Sequence, residues 1–136
     1  MTKPRVPDMI RNAILGTACF LPMALQADPS LECSDAGSQV EIGACVQEAG
    51  KRVEAALVIA QGISITSAQE LDDVTGRKAF VPALEASQSA WSAYREAHCN
   101  AVGASYGGGS GTGIAIEACL IELGRERIKE LMSMAK

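Results

Sequence analysis

Residues 89–99 read SAWSAYREAHC, and they hold the only tryptophan and the only histidine of the 136-residue chain. One of its two tyrosines, an arginine and a cysteine stand beside them. Trp91, Tyr94 and His98 or Val102 recur at helical steps, the spacing that places side chains on one side of a helix, and Arg95 sits beside them. Phe80 and Leu84 extend the pattern backward. Pro82 falls in the first turn, where a missing amide hydrogen costs nothing. A helix is expected from about 80 to 101. Trp91 and Tyr94 are expected in its core face, because large aromatics at helical steps bury the most area. Arg95 either pairs with an acid across the molecule or lies exposed.

The flanking sequence is helical too. Ser38-Gln-Val-Glu41 is a capping box, with the serine and glutamate placed to satisfy the first free amides. After it Ile42, Cys45 or Val46, Ala49, Val53, Ala56 or Leu57 and Ala60 form an amphipathic stripe that Gly62 is expected to end. Ser67-Ala-Gln-Glu70 is a second capping box and predicts a short extra helix near 68–74, closed by Thr75-Gly76. On the other side, AVGASYGGGSGTG reads as a glycine-rich loop. Residues 114–134 read as a last helix, with Ile114, Ala118, Ile121, Ile128 and Leu131 on one face and Glu122, Glu126, Lys129 and Glu130 on a solvated side. The segment DPSLECSDAGSQ, 28–39, reads as a loop. The fold class is therefore all-α, a small bundle of three main helices in one domain over 28–136.

Residues 1–27 read differently. Lys3, Arg5 and Arg11 precede the apolar run AILGTACFLPMAL, and Ala27 offers a small residue at a cleavage point. This is the pattern of a secretory signal peptide, and the run is short of the roughly 20 residues a membrane span needs. Its removal leaves no stable membrane span, nine basic against fifteen acidic residues and a net charge of −6. Nucleic acid is an unsuitable partner for such a surface, whereas a cationic protein would be attracted to it. Cleavage also removes Cys19 and leaves Cys33, Cys45, Cys99 and Cys119. An even number in an exported chain reads as two disulfides. Three pairings are open. Cys33–Cys45 with Cys99–Cys119 is preferred, because both loops are short and each joins adjacent elements.

Other chemistry fits the residues badly. A metal centre needs several converging ligands, and a single histidine beside disulfide cysteines does not supply them. Ser92 and His98 lie six residues apart and do not face each other as nucleophile and base. GGGSG lacks the lysine and hydroxyl residue of a phosphate-binding loop. Neither a cofactor nor catalysis is expected.

The pattern resembles the lysozyme inhibitor LprI-like N-terminal domain family, small exported bacterial proteins. The resemblance rests on QSAWSAYREAHC, which holds Gln88, Trp91, Tyr94, Arg95, Glu96 and Cys99, then on Gly108-Gly109-Ser110, on Cys119-Leu120, and on Leu123-Gly124-Arg125-Glu126-Arg127 with Arg127 in the family's arginine place. Gly124 departs from the family's threonine, and the family's D-x-x-L-N element is not evident in QEAGKRVEAAL. The resemblance covers about 33–132. It implies a mainly structural role for Gln88, Trp91, Tyr94, Arg95, Glu96 and Arg127, and a periplasmic or secreted protein that binds and inhibits a lysozyme or another cell-wall hydrolase. A structural or accessory envelope protein without such a target is the alternative. Tyr106, with Gly108, Gly109 and Ser110, is the candidate anchor for a partner, provided it does not pack back over the hairpin.

Overall fold

The computed structural model describes residues 28–135. The signal-peptide expectation for 1–27 lies outside them. Four helices follow in order: α1 (Pro29–Glu32), α2 (Gln39–Thr75), α3 (Phe80–Ser105) and α4 (Gly111–Met134). The all-α expectation holds, and α2, α3 and α4 are the three main helices.

Two boundaries differ from the sequence reading. The segment read as a loop contains α1, because Asp28 accepts hydrogen bonds from the Ser30 amide and hydroxyl while Pro29 opens the turn. No separate helix starts at the second capping box. α2 runs unbroken through Gly62 and Ser67 for 37 residues, about 55 Å at the α-helical rise. A mid-helix glycine costs about 1 kcal/mol relative to alanine, which does not end a helix whose buried face continues beyond it. Here that face runs on through Ser64, Ala68 and Asp72. Ser64 is buried and donates its hydroxyl hydrogen to the Leu131 carbonyl at 2.8 Å. The stop comes at Gly76, whose φ of 66° is left-handed, a conformation that glycine adopts without a Cβ penalty.

Asp72 then starts the next helix. Its carboxylate accepts from the amides of Ala79, Phe80 and Val81 at 2.9–3.2 Å. α3 has no capping side chain at its own N-cap, Ala79; Asp72, from the end of α2, supplies the missing acceptor.

The packing register shows the path of the chain. Ideal Cβ atoms at Gly43, Gly50 and Gly124 would meet Ile114, Glu117 and Val53 respectively, so α2 and α4 run in the same direction. α3 runs against them, with Cys99 joined to Cys119 and Arg127 reaching back to Gln88. The core between the helices consists mainly of Val46, Ala49, Val53, Leu57, Ala60, Leu84, Ile121 and Leu131. Both preferred disulfides are present, Cys33–Cys45 and Cys99–Cys119, with Cα separations of 5.9 and 5.5 Å. Among the described residues no helix is long and apolar enough to cross a membrane.

Candidate interaction surface

The family-motif residues divide between two places. Arg127 is buried and spreads its guanidinium over three acceptors: Gln88 Oε1, Ser87 Oγ and Glu130 Oε2, each at 3.0 Å. Arg95 sends Nε and Nη2 to the Leu120 carbonyl at 3.1 and 2.6 Å, and Nη2 also meets Glu54. Both guanidiniums lie over the Trp91 ring, 5.2 Å away for Arg95 and 5.7 Å for Arg127. Gln88, Trp91, Arg95 and Arg127 thus form one polar seam between α3 and α4, which Glu54 extends to α2. Cation–π contact and three hydrogen bonds on each guanidinium make burial of the arginines tolerable.

Gly124 belongs to the same seam. An added Cβ would lie 2.6 Å from Val53 Cγ1 and 3.2 Å from both Leu57 Cδ1 and Arg95 Nη2. The glycine lets α2 approach α4 at the level where Arg95 reaches the Leu120 carbonyl. That contact accounts for the departure from threonine seen in the sequence.

Tyr94 does not join the seam, contrary to the core placement expected for it. It is 54% exposed and stacks on His98 with ring centroids 5.3 Å apart. The three-residue step from Trp91 turns a helix by about 300°, enough here to carry the ring out of the interface. Glu96 is also exposed on α3.

The second place is the end of the bundle where α3 passes into α4. Tyr106 caps α3 and is 59% exposed. Gly107, Gly108 and Gly109 follow with φ of 68°, 92° and 111°, values that a side chain would strain. Ser110 begins α4. The Cys99–Cys119 disulfide closes the hairpin beneath them. The edge of the Tyr106 ring rests near Gly111, with 3.9 Å from Cδ1 to the position of a Cβ. The ring therefore leans on α4 while most of its surface faces solvent.

Beside it lies a groove of about 450 Å³ lined by residues from α1, α2, α3 and α4. Val102 and Ile114 are among its apolar lining residues, Tyr106 and His98 are aromatic ones, and Asp28 and Glu122 bring carboxylates. Glu122, read as part of a solvated side, is half-buried here. Burial raises its carboxyl pKa, the neighbouring Asp28 carboxylate raises it further, and Arg125 opposes the shift. Arg125 itself holds Glu32 through two bonds of 2.6 and 2.9 Å, which fastens α1 as a wall of the groove. Exposed Tyr94, His98 and Tyr106 follow one another along α3 toward the loop. Aromatic side chains beside acidic groups make a surface suited to a cationic protein partner. Ser92 lines a different groove, between α2 and α3, and is not brought to His98.

The sequence singled out Tyr106 and the glycine loop as candidates. It missed Asp28, Glu122 and Tyr94 as members of this surface. Asp28 stood in a segment read as a loop, and Glu122 stood among charges that appeared evenly solvated.

Residues 32–131 match the family described as lysozyme inhibitor LprI. An uncharacterized protein of Rhizobium meliloti (strain 1021) is 32% identical over 126 residues, covering 87% of this chain and 90% of the relative. No solved structure matches the chain.

Proposed function

The chain belongs to the LprI lysozyme-inhibitor family, and from that premise we propose that it is an exported binding protein that blocks a lysozyme or another peptidoglycan hydrolase. Residues 1–27 serve as its signal peptide, and the protein acts in the periplasm or outside the cell, where its two disulfides are stable. The partner is held at the α3–α4 end. Tyr106 is the anchor, and Gly108, Gly109 and Ser110 allow backbone to approach the partner closely. Gln88, Trp91, Arg95 and Arg127 hold the helices that present the loop, Tyr94 adds exposed aromatic area, and Glu96 is a solvated member of the motif.

The observation that carries this reading is a large aromatic, 59% exposed, on a loop closed by a disulfide. Exposed aromatics supply much of the energy of protein interfaces, and a restrained loop loses less freedom on binding. The acidic groove beside it favours encounter with cationic enzymes. The test is inhibition of lytic activity by wild type and by Tyr106→Ala. The variant is expected to lose at least about ten-fold in inhibitory potency, the effect of 1.4 kcal/mol, with its thermal midpoint unchanged. Equal potency would remove Tyr106 from the site. A wild-type chain that inhibits no hydrolase would favour an accessory envelope role.

A further inference from the structure

The outward face of α2 does not look like the solvent face of a helix. From Ala55 to Gln69 the chain carries no charged residue. The inner side of that stretch meets α3 and α4 and accounts for its own apolar residues. Among the described residues the outer side has little such cover, with Ala135 at its border: Val58 is 68% exposed, Ile59 64% and Ile63 44%. Ile59, Gly62, Ile63 and Thr66 fall on one stripe at helical steps. A helix apolar on every side is normally buried on every side.

Gly62 lies in the middle of that stripe. It is disfavoured in a helix interior, and nothing lies within 4 Å of the position its Cβ would take. Among the described residues no contact requires a glycine there. A backbone approaching from outside would.

The charges flanking the apolar stretch indicate what approaches. Lys51, Arg52 and Glu54 stand at its amino-terminal end, Glu70 and Asp73 at its carboxy-terminal end, all five exposed, and Glu54 is held by Arg95 of α3. Lys51 pairs with Glu48 along the helix. Arg52 and Asp73 are equidistant from the midpoint between Gly62 and Ile63. Reversing the helix about that midpoint therefore lays Arg52 against Asp73 at both ends of the uncharged stretch. Such a face is complementary to itself in antiparallel array and repels itself in parallel array.

We propose that the outer face of α2 is the interface of an antiparallel homodimer, its two-fold axis beside Gly62 and Ile63, with Arg52 of each copy facing Asp73 of the other. The patch is one helix face wide, so the dimer is weak by the standard of permanent interfaces. Tyr106 lies at the amino-terminal end of α2, since Gln39 shares the groove with it. Antiparallel pairing places the two loop surfaces at opposite ends of the dimer and leaves both open. The dimer does not depend on what those surfaces bind.

Sedimentation velocity on the oxidised chain from residue 28 onward tests this between ~10 µM and ~1 mM, a range suited to weak interfaces. Wild type is expected to shift toward dimer as concentration rises, and Ile59→Glu to remain monomeric throughout. R52E alone and D73R alone each place like charges opposite one another, and each is expected to weaken association about ten-fold or more. An equimolar mixture of R52E with D73R is expected to recover association, because in the mixed dimer both pairs are again of opposite sign. Circular dichroism confirms that each variant is folded. Wild type monomeric at ~1 mM, Ile59→Glu dimerising as wild type does, or a mixture no stronger than its components would each overturn the proposal.

Discussion

Asp72 joins two helices through one carboxylate. The amides of Phe80, Val81 and Ala79 hold its pKa below the usual value and outweigh the opposing effect of burial. The folded state therefore prefers the ionised form. The stabilisation is complete above the unfolded carboxyl pKa of about 4 and is lost as pH falls through the lower folded value. Asp72→Asn keeps the oxygen that accepts from Ala79 and Phe80, replaces the one that accepts from Val81 with an NH2 group and removes the charge. Its urea midpoint is expected to fall below that of wild type at pH 7, with the difference shrinking as the pH drops into the acid range. A difference that stays constant with pH would show that the charge contributes nothing. Two glycines give a second prediction at this scale. At Gly124 a methyl group collides with Val53, so Gly124→Ala should lose stability by about 1 kcal/mol, overpacking exceeding the gain in helix propensity. At Gly62 a methyl group meets nothing within 4 Å among the described residues. Gly62→Ala should therefore gain about 1 kcal/mol in the monomer. Urea titrations of both at low protein concentration check the opposite signs.

At the scale of elements, the hairpin of α3 and α4 combines the seam with the loop. The Cys99–Cys119 disulfide encloses a segment with a sequence separation of 20, worth about 3 kcal/mol by chain entropy. Replacing both cysteines with serine is expected to lower stability by about that amount. It is also expected to weaken inhibition by more than the unfolded fraction explains, because Tyr106 then stands on a freer loop. Potency that simply follows the folded fraction would show that restraint of the loop is irrelevant. These elements were partly legible in the sequence. Helical spacing marked α3 and α4, and cysteine parity with short loops identified both bridges. The continuity of α2 was not legible. A glycine and a capping box are local signals, whereas the bond from Ser64 to the Leu131 carbonyl joins residues 67 positions apart. The capping of α3 by Asp72 was hidden for the same reason. Trp91 and Tyr94 looked equivalent because a three-residue step permits both a shared face and a divergent one.

Over the whole molecule, the proposed binding surface lies at one end and the architecture runs along the helices. The polar seam and the small residues at the α2–α4 contact hold three helices close. The loop end presents Tyr106, Tyr94 and His98 beside Asp28 and Glu122. An acidic chain meeting a cationic hydrolase would associate faster at low ionic strength, and salt would weaken that steering. The groove was not legible in the sequence, because its wall from α1 depends on the Cys33–Cys45 bridge and the bidentate Arg125–Glu32 pair acting together.

The most direct measurement is inhibition of lytic activity by the oxidised chain from residue 28 onward, against a panel of lysozymes of different classes at low and moderate salt. Stoichiometric inhibition of at least one enzyme, weakened by salt and by Tyr106→Ala, is the predicted result. Failure to inhibit any of them at either salt concentration would contradict the inhibitor reading.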